Sequence, residues 1–234
     1  IDQIPLDMQH AIVAIEDERF YEHHGIDIKG IVRAFFNGVA RGFHFNEGAS
    51  TLTQQLLKNN VFTNWTNEGT LERFTRKFQE QYLALQLEAS LDAAGEDTKS
   101  VILENYLNTI NLSAGTYGVQ AASQRYFGKD CSDLTLSECA VLAAIPQNPY
   151  LYNPIRHPDE NAKRRTKVLD NMLEQGYITQ AEYDEAMADN VYDRIQATDS
   201  QQETSPYSYF IDEMTSQITN DLQEKLGYTE VQAQ

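Results

Sequence analysis

The chain has 234 residues, of which 41% are hydrophobic and 10% aromatic, a composition typical of a folded globular protein. Its formal net charge of −17 argues against a general nucleic-acid-binding protein. Residues 169–234 hold 14 acidic and 2 basic side chains, so the cations are concentrated in residues 1–168. Any site for an anionic substrate is therefore expected in that first part of the chain.

Helical periodicity runs along nearly the whole sequence, and no stretch shows the sustained alternation of a β-strand. The pattern therefore predicts an all-α fold, in which no apolar run is long enough to cross a bilayer. Two helix starts carry capping-box sequences, Thr135 to Glu138 and Thr179 to Glu182, in which hydroxyl and carboxylate each accept a free backbone N–H. The predicted helices are 7–20, 27–40, 50–61, 70–93, 98–110, 119–127, 135–146, 159–175, 179–189 and 206–226.

The first predicted helix runs into the sequence EDERFYEHHG, residues 16–25. At 100° per residue Ile12, Ile15 and Glu16 fall on one side, so a carboxylate ends an apolar face. A helix end turning toward water would also explain a lone glutamate. The adjacent histidines lack the spacing of a zinc site, and we interpret His23 as a hydrogen-bonding support for the region around Glu16.

A polar helix start follows in GASTLTQQLLKN, residues 48–59. Ser50 and Thr51 lie where this helix is predicted to begin, and free N–H groups with adjacent hydroxyls can hold an anion there. Gln54 and Lys58 are one turn apart, which suits a sugar-phosphate ligand. A solvated polar face with Ser50 as an ordinary N-cap also explains this segment taken alone.

The segment TLERFTRKFQEQYLAL, residues 70–85, has an apolar stripe and a charged stripe. We predict that the apolar stripe faces the core; its members are Leu71, Phe74, Phe78, Tyr82 and Leu85. The clustered cations with one carboxylate could hold a pyrophosphate and a bridging metal, and the alternative is an exposed, salt-bridged face. The charged stripe consists of Arg73, Arg76, Lys77 and Glu80.

Taken together and in this order, these segments resemble the peptidoglycan glycosyltransferases of glycosyltransferase family 51. The family motif ED-x-x-F-x-x-H-x-G matches Glu16, Asp17, Phe20, His23 and Gly25. The motif G-x-S-T-[LI]-T-Q-Q-x-x-K-N matches Gly48, Ser50, Thr51, Leu52, Thr53, Gln54, Gln55, Lys58 and Asn59, and R-K-x-x-E matches Arg76, Lys77 and Glu80. The blocks YLNTINLSAGTYGVQAASQRYFGK and LTLSECAVLAAIPQNPYLYNP, followed by Arg164 and Arg165, extend the likeness over about residues 5–190.

The resemblance implies a lysozyme-like helical lobe plus a smaller membrane-facing lobe, with a cleft between them. It implies polymerisation of lipid II into glycan strands with release of polyprenyl pyrophosphate. Glu16 would be the general base on the acceptor 4-hydroxyl, and Asp17 would position it. Glu80 would be the second important glutamate, holding Mg²⁺ or another divalent cation or orienting the basic residues. The other matched residues expected to bind substrate are Phe20, His23, Ser50, Thr51, Thr53, Gln54, Gln55, Lys58, Asn59, Arg76 and Lys77.

The resemblance also implies a cellular location and binding partners. It indicates the outer face of the bacterial cell membrane, and as partners lipid II, the lipid-linked glycan chain, the membrane surface and phosphoglycolipid inhibitors such as moenomycin. Residues 1–192 are expected to form the glycosyltransferase domain, and 193–234 an acidic linker and helix leading toward a transpeptidase domain. That domain and an N-terminal membrane helix are expected to lie outside this chain. The aromatic stretch 35–45 is either membrane-apposed or ordinary core.

Two other functions remain open at the level of sequence. A lytic transglycosylase or lysozyme-like hydrolase would use one glutamate in a similar fold but needs no pyrophosphate site. A catalytically silent cell-wall scaffold would keep the fold and bind partners. The chain departs from the family at Ser113, where many members have glycine, which leaves the geometry of that turn open. Cys131 and Cys139 lack metal-site spacing, and Cys139 is predicted to be a buried free thiol.

Overall fold

A computed structural model describes residues 1–40, 50–62 and 69–195 of the chain. This part contains α-helices and two short 3-10 helices and no β-strand, so the all-α prediction is confirmed for it. The predicted helix 206–226 and nearly all of the predicted linker lie outside the described residues. The helices are α1 Leu6–Glu16, α2 Ile28–Ala40, α3 Leu52–Val61, α4 Thr70–Ala94, α5 Thr98–Thr109, α6 Val119–Phe127, α7 Leu136–Ala143, α8 Pro158–Glu174 and α9 Gln180–Ala188.

The predicted capping signals set the starts of two helices. Thr135 caps α7 and Thr179 caps α9, each in a reciprocal capping box with the glutamate three residues on. Helix α3 is capped in the same way by Thr51, whose hydroxyl accepts the N–H of Gln54. The N-cap is therefore Thr51 rather than Ser50, which leaves the Ser50 hydroxyl available to another partner.

The core is built mainly by α1, α7 and α8, which pack on one another, while α3, α4 and α5 form a second packed group. Helix α7 is buried along nearly its whole length, which its small and aliphatic side chains permit. Cys139 in this helix is a buried free thiol, as predicted, and burial raises its pKa well above the ordinary value.

Helix α4 faces the opposite way from the prediction. Four side chains of its apolar stripe are between 62% and 82% exposed, whereas Arg76 and Glu80 of its charged stripe are 6% and 0% exposed. Three members of the charged stripe, Arg76, Lys77 and Glu80, turn inward because they pair with one another and reach the start of α3, whereas Arg73 stays exposed. Periodicity separated the two faces of the helix correctly, but it assigned the wrong one to the core. The exposed four are Leu71, Phe74, Phe78 and Tyr82.

The turn that contains Ser113 is held by side-chain contacts. Ser113 and Ala114 have φ angles of +67° and +48°, in the left-handed region that favours glycine. The Asn111 side chain accepts the Ser113 N–H at 2.9 Å, and the Asn153 amide donates to the Ser113 hydroxyl at 2.9 Å. A serine is thus accommodated in this turn through a contact that glycine could not make.

Candidate active site

Glu16 is the last residue of α1, and its carboxylate lies among polar partners from distant parts of the chain. One carboxylate oxygen accepts a hydrogen bond from the Gln55 amide at 3.1 Å, and the other lies 3.2 Å from the Arg164 guanidinium. Burial raises the pKa of Glu16, while the Gln55 contact and the charges of Arg164 and Lys58 act in the opposite direction. Glu16 is therefore a stronger proton acceptor than an exposed glutamate, with neighbours that favour its ionised form.

The orientation of Gln55 is fixed by Tyr106. The Tyr106 hydroxyl donates to the Gln55 carbonyl oxygen at 3.1 Å, so the amide nitrogen is directed at Glu16. Tyr106 is fully buried, and burial together with the charges of Glu16 and Asp17 holds its pKa well above the ordinary value. The phenol therefore stays a hydrogen-bond donor throughout the physiological pH range.

Asp17 joins the end of α1 to the start of α3. Its carboxylate accepts the N–H of Leu52, the first residue of α3, at 2.9 Å, and contacts the His23 ring nitrogen Nε2 at 3.0 Å. His23 in turn packs edge-on against the buried Phe20 ring. All of these contacts are internal, and the role of Asp17 in orienting Glu16 stays a prediction.

A cluster of basic residues surrounds Glu80 on α4. The Arg76 guanidinium pairs with one carboxylate oxygen of Glu80, and the Lys77 ammonium lies 2.8 Å from the other. Lys77 also donates to the Ser50 hydroxyl at 2.9 Å and keeps 40% of its side chain exposed. Glu80 is completely buried, so it fixes two cations of which one reaches solvent.

Lys58 connects the basic cluster electrostatically with Glu16. Burial is the main reason why the pKa of Lys58 is lowered, and the positive charges of Lys77 and Arg76 lower it further. The carboxylates of Glu80 and Glu16 act in the opposite direction. The last turn of α3 therefore places Lys58 in the field of both the base candidate and the basic cluster.

Several matched residues of α3 have their side chains committed to the scaffold. Thr51 caps the helix and donates its hydroxyl to the Gly25 carbonyl at 2.7 Å, and Gln54 accepts the Thr51 N–H at 3.0 Å. Thr53 donates to a buried carboxylate of α4 at 2.6 Å. Asn59 is exposed near the end of the helix. The structure gives the first three side chains internal partners, and their binding of substrate stays a prediction.

Gly25 allows the first motif to approach α4 closely. Its φ angle is +81°, and a Cβ atom at this position would lie 2.6 Å from the carbonyl oxygen of Ala84. Any other residue would push the segment away from α4. The glycine of the first motif is therefore required by packing.

A small cavity of about 40 Å³ lies against Glu16, with Ser50 and Thr51 also in its lining. It has room for a water-sized group such as a hydroxyl. Apart from Gly30 its remaining lining is charged, with Arg19 and Arg33 beside three acidic residues. An approaching hydroxyl oxygen would thus meet the Glu16 carboxylate in a polar setting.

The residues around Glu80 do not fit a metal ion held by the protein alone. Both Glu80 oxygens are engaged by cations, and a metal would have to displace Arg76 or Lys77. Within residues 1–40, 50–62 and 69–195, no group of three His, Cys, Asp or Glu side chains is arranged to bind one. A divalent cation at Glu80 therefore stays a prediction without a prepared ligand set.

Two residues at the site were not predicted as site residues. Arg164, on α8, donates to the Ala144 carbonyl at 3.2 Å and lies over the Tyr152 ring in addition to pairing with Glu16. Its neighbour Arg165 is buried and contacts Ser137 and the backbone, so only one of the two arginines reaches the site. The second residue is Tyr106 of α5. Its phenol hydroxyl, a polar group on the buried side of a helix, was the feature of the sequence that could have indicated a role at the site.

Comparison with known proteins gives a consistent set of matches. A family model described as Transglycosylase matches residues 1–173. Penicillin-binding protein 1A of Streptococcus oralis is 40% identical over 227 residues, which are 97% of this chain and 34% of that protein. Penicillin-binding protein 1F of Bacillus subtilis is 47% identical over 182 residues, which are 78% of this chain and 24% of that protein.

Among solved structures, a crystal structure of penicillin-binding protein 1A from Haemophilus influenzae aligns with 52% of this chain and 18% of its own chain. The identity is 34% and the TM-score is 0.43. The chain spans about a third or less of the length of these proteins.

Proposed function

Because the chain belongs to the transglycosylase family, we propose that it is a peptidoglycan glycosyltransferase that polymerises lipid II with release of polyprenyl pyrophosphate. The family assigned from the sequence motifs is thereby confirmed. The observation that carries the proposed chemistry is the buried carboxylate of Glu16, held by Gln55 and Arg164 and close to a group of cations.

In the proposed reaction Glu16 takes the proton of the acceptor 4-hydroxyl as that oxygen attacks the anomeric carbon of the donor sugar. The bond between the anomeric carbon and the pyrophosphate oxygen breaks, and the leaving group departs with its electron pair. Gln55 and Arg164 each engage one Glu16 oxygen, which leaves a lone pair on either to accept the proton. Their contacts support a general base that is oriented before the acceptor arrives.

The basic cluster matches the charge of the proposed leaving group. Lys58, Arg76 and Lys77 bring three positive charges and Glu80 one negative charge, so the cluster carries a surplus of cations for a pyrophosphate. Lys77 is exposed enough to reach a ligand directly. We propose that phosphoglycolipid inhibitors such as moenomycin bind at the same cations, and that any divalent cation enters with the pyrophosphate.

The exposed apolar faces of two helices support binding to a membrane surface. Ile28, Val32 and Phe36 recur every fourth residue on α2 and are 65%, 47% and 66% exposed, and the apolar stripe of α4 is exposed as well. Such faces suit contact with the interface of a bilayer that carries the lipid-linked substrate. Within the described residues no helix combines the length and the apolarity that a bilayer crossing needs.

The location of the protein and its further domains are also proposals. We propose that the full-length protein acts at the outer face of the bacterial cell membrane, with a membrane anchor and a C-terminal transpeptidase domain outside this chain. The names of its relatives as penicillin-binding proteins support the transpeptidase part of that arrangement, since they name a penicillin-binding activity.

The test is polymerisation of labelled lipid II with Mg²⁺ in detergent by the parent chain, Glu16→Gln and the exposed control Glu96→Gln. We expect glycan from the parent and the control, and a loss of about 10²-fold or more for Glu16→Gln, the usual scale for a positioned acid–base group. Consumption of polymerised glycan in place of lipid II would favour a hydrolase. Binding of moenomycin by a folded protein without any turnover would favour a scaffold.

A further inference from the structure

A second buried carboxylate lies on α4 two turns beyond Glu80. Glu88 is 1% exposed, and its partner Lys99 on α5 lies at 2.7 Å with 17% of its side chain exposed. Neither residue belongs to the motifs quoted above. A buried ion pair of this kind contributes little net stability, because desolvation of both charges offsets their attraction.

The pair has further partners, and they belong to the segments that carry the site. The Glu88 carboxylate oxygen that does not contact Lys99 accepts a hydrogen bond from the Thr53 hydroxyl of α3 at 2.6 Å. The Lys99 ammonium donates to the His23 backbone carbonyl at 2.6 Å and lies 4.7 Å from the centroid of the Phe20 ring. The pair therefore ties α3 and the first motif to α4 and α5 through charge-assisted contacts.

Both segments held by this pair contact Glu16 or the residue next to it. Thr53 is two residues from Gln55, which donates to the Glu16 carboxylate. The ring of His23 contacts Asp17, the residue next to Glu16. A shift in either segment would therefore change the placement of the base or of its hydrogen-bond donor.

We propose that Glu88 and Lys99 are positioning residues for Glu16, and this inference rests on the proposed function. They hold the start of α3 and the turn after α1 in register, and they do not touch the substrate. A pair of apolar side chains could restore the packing of the two residues. It would lack the contacts to the Thr53 hydroxyl and the His23 carbonyl, so stability and activity should separate.

The experiment compares the parent with Glu88→Gln, Lys99→Met and the double variant Glu88→Leu/Lys99→Met. We expect each single variant to lower the melting temperature, because it leaves one buried charge without its partner. The double variant should recover part of that loss, because it leaves no unpaired charge, although the Thr53 hydroxyl and the His23 carbonyl each lose a partner. Its kcat for lipid II should nevertheless fall by about tenfold to 10²-fold with little change in KM, the scale of a misplaced catalytic group.

A second readout does not depend on turnover. The titration of the Glu16 carboxyl carbon, followed by NMR in a ¹³C-labelled chain, should move to a different midpoint in the double variant, because the Gln55 donor is displaced. This measurement separates the two hypotheses: an inactive parent would count against the proposed polymerase, while the shift in midpoint would still support positioning. A folded double variant with the midpoint and the kcat of the parent would overturn the inference.

The matched control removes the same charges from an exposed pair on α8. Glu160→Gln/Lys163→Met breaks an ion pair whose side chains are 42% and 70% exposed, and it should leave both kcat and the Glu16 midpoint unchanged. If the double variant at the buried pair fails to fold, Lys99→Met carries the test, because it removes the donor to the His23 carbonyl while Glu88 still accepts the Thr53 hydroxyl. A kcat and midpoint for this variant equal to those of the parent would then contradict positioning.

Discussion

Arg164 and Glu16 form an ion pair of 3.2 Å although 148 residues separate them in the chain. The pair is supported by neighbouring contacts of the same helix. Asn171 of α8 and Gln175, which directly follows this helix, both donate to the carbonyl oxygen of Ala14, which lies in the last turn of α1 and has no partner within its own helix. Helix α8 thus satisfies the end of α1 and places a cation on the carboxylate there.

The first prediction concerns the pH dependence of polymerisation. Protonated Glu16 cannot accept a proton, so kcat/KM should fall as the pH drops through the pKa of Glu16. Since burial raises that pKa, the midpoint of this acid limb should lie above the ordinary value of 4.5. The check is a pH–rate profile of the parent over the range in which its far-UV circular dichroism is constant. A limb at or below 4.5 would contradict the assignment.

The second prediction concerns Arg164. Replacing it with methionine removes a positive charge that lowers the pKa of Glu16, so the acid limb should move to higher pH. The rate at neutral pH should fall by about tenfold or more, because the carboxylate also loses an orienting contact. Arg164→Lys, which keeps the charge, is the matched control and should move the limb less. Equal profiles for Arg164→Met and the parent would remove Arg164 from the site.

The third prediction concerns the stability of the basic cluster. Glu80→Gln leaves Arg76 and Lys77 without their shared carboxylate, and Arg76 is buried. The free energy of unfolding should fall by about 3 kcal/mol, the lower end of the cost of breaking a buried pair, since Lys77 is partly exposed. Urea titration measures this, with the exposed Gln79→Ala on the same helix as control. A loss no larger than that of the control would show that Glu80 is not needed to balance the cations.

The fourth prediction concerns the exposed stripe of α4. Changing Phe74 and Phe78 to serine should reduce co-sedimentation with liposomes, because the two rings are 62% and 71% exposed on the proposed membrane face. The melting temperature should change little, since neither ring is buried. Gln86→Ser, also exposed on α4, is the control. Binding that is indifferent to the loss of both rings would argue that another surface contacts the lipid.

Sequence motifs predicted much of the site, because its chemistry depends on residue types at short spacings. Of the predicted α3 residues, Gln55 contacts Glu16 and Lys58 acts on its charge, and Arg76 and Lys77 pair with Glu80. The roles of these residues stay predictions. The aromatic stretch 35–45 is predicted to be either membrane-apposed or core, and its second half lies outside the described residues. Phe36 is exposed in the described half.

Other parts could not be predicted, for physical reasons. Arg164 reaches Glu16, and Tyr106 reaches Gln55, only through tertiary packing, and the spacing of residues in their own segments does not indicate these partners. The orientation of α4 was predicted wrongly because hydrophobic periodicity assigns the apolar face of a helix to the core. Buried ion pairs at Glu80 and Glu88 made the charged side of the helix the inner one.

The inverted orientation of α4 separates two kinds of variation along one helix. On the proposed membrane face, substitutions on the outer side of α4 would change how strongly the protein adheres to an apolar surface, while the ion pairs on the inner side stay intact. Substitutions on the inner side would disturb the charged cluster and leave the outer face as it is. Adhesion and the proposed catalysis could therefore vary independently among relatives, although the same turns of α4 carry both.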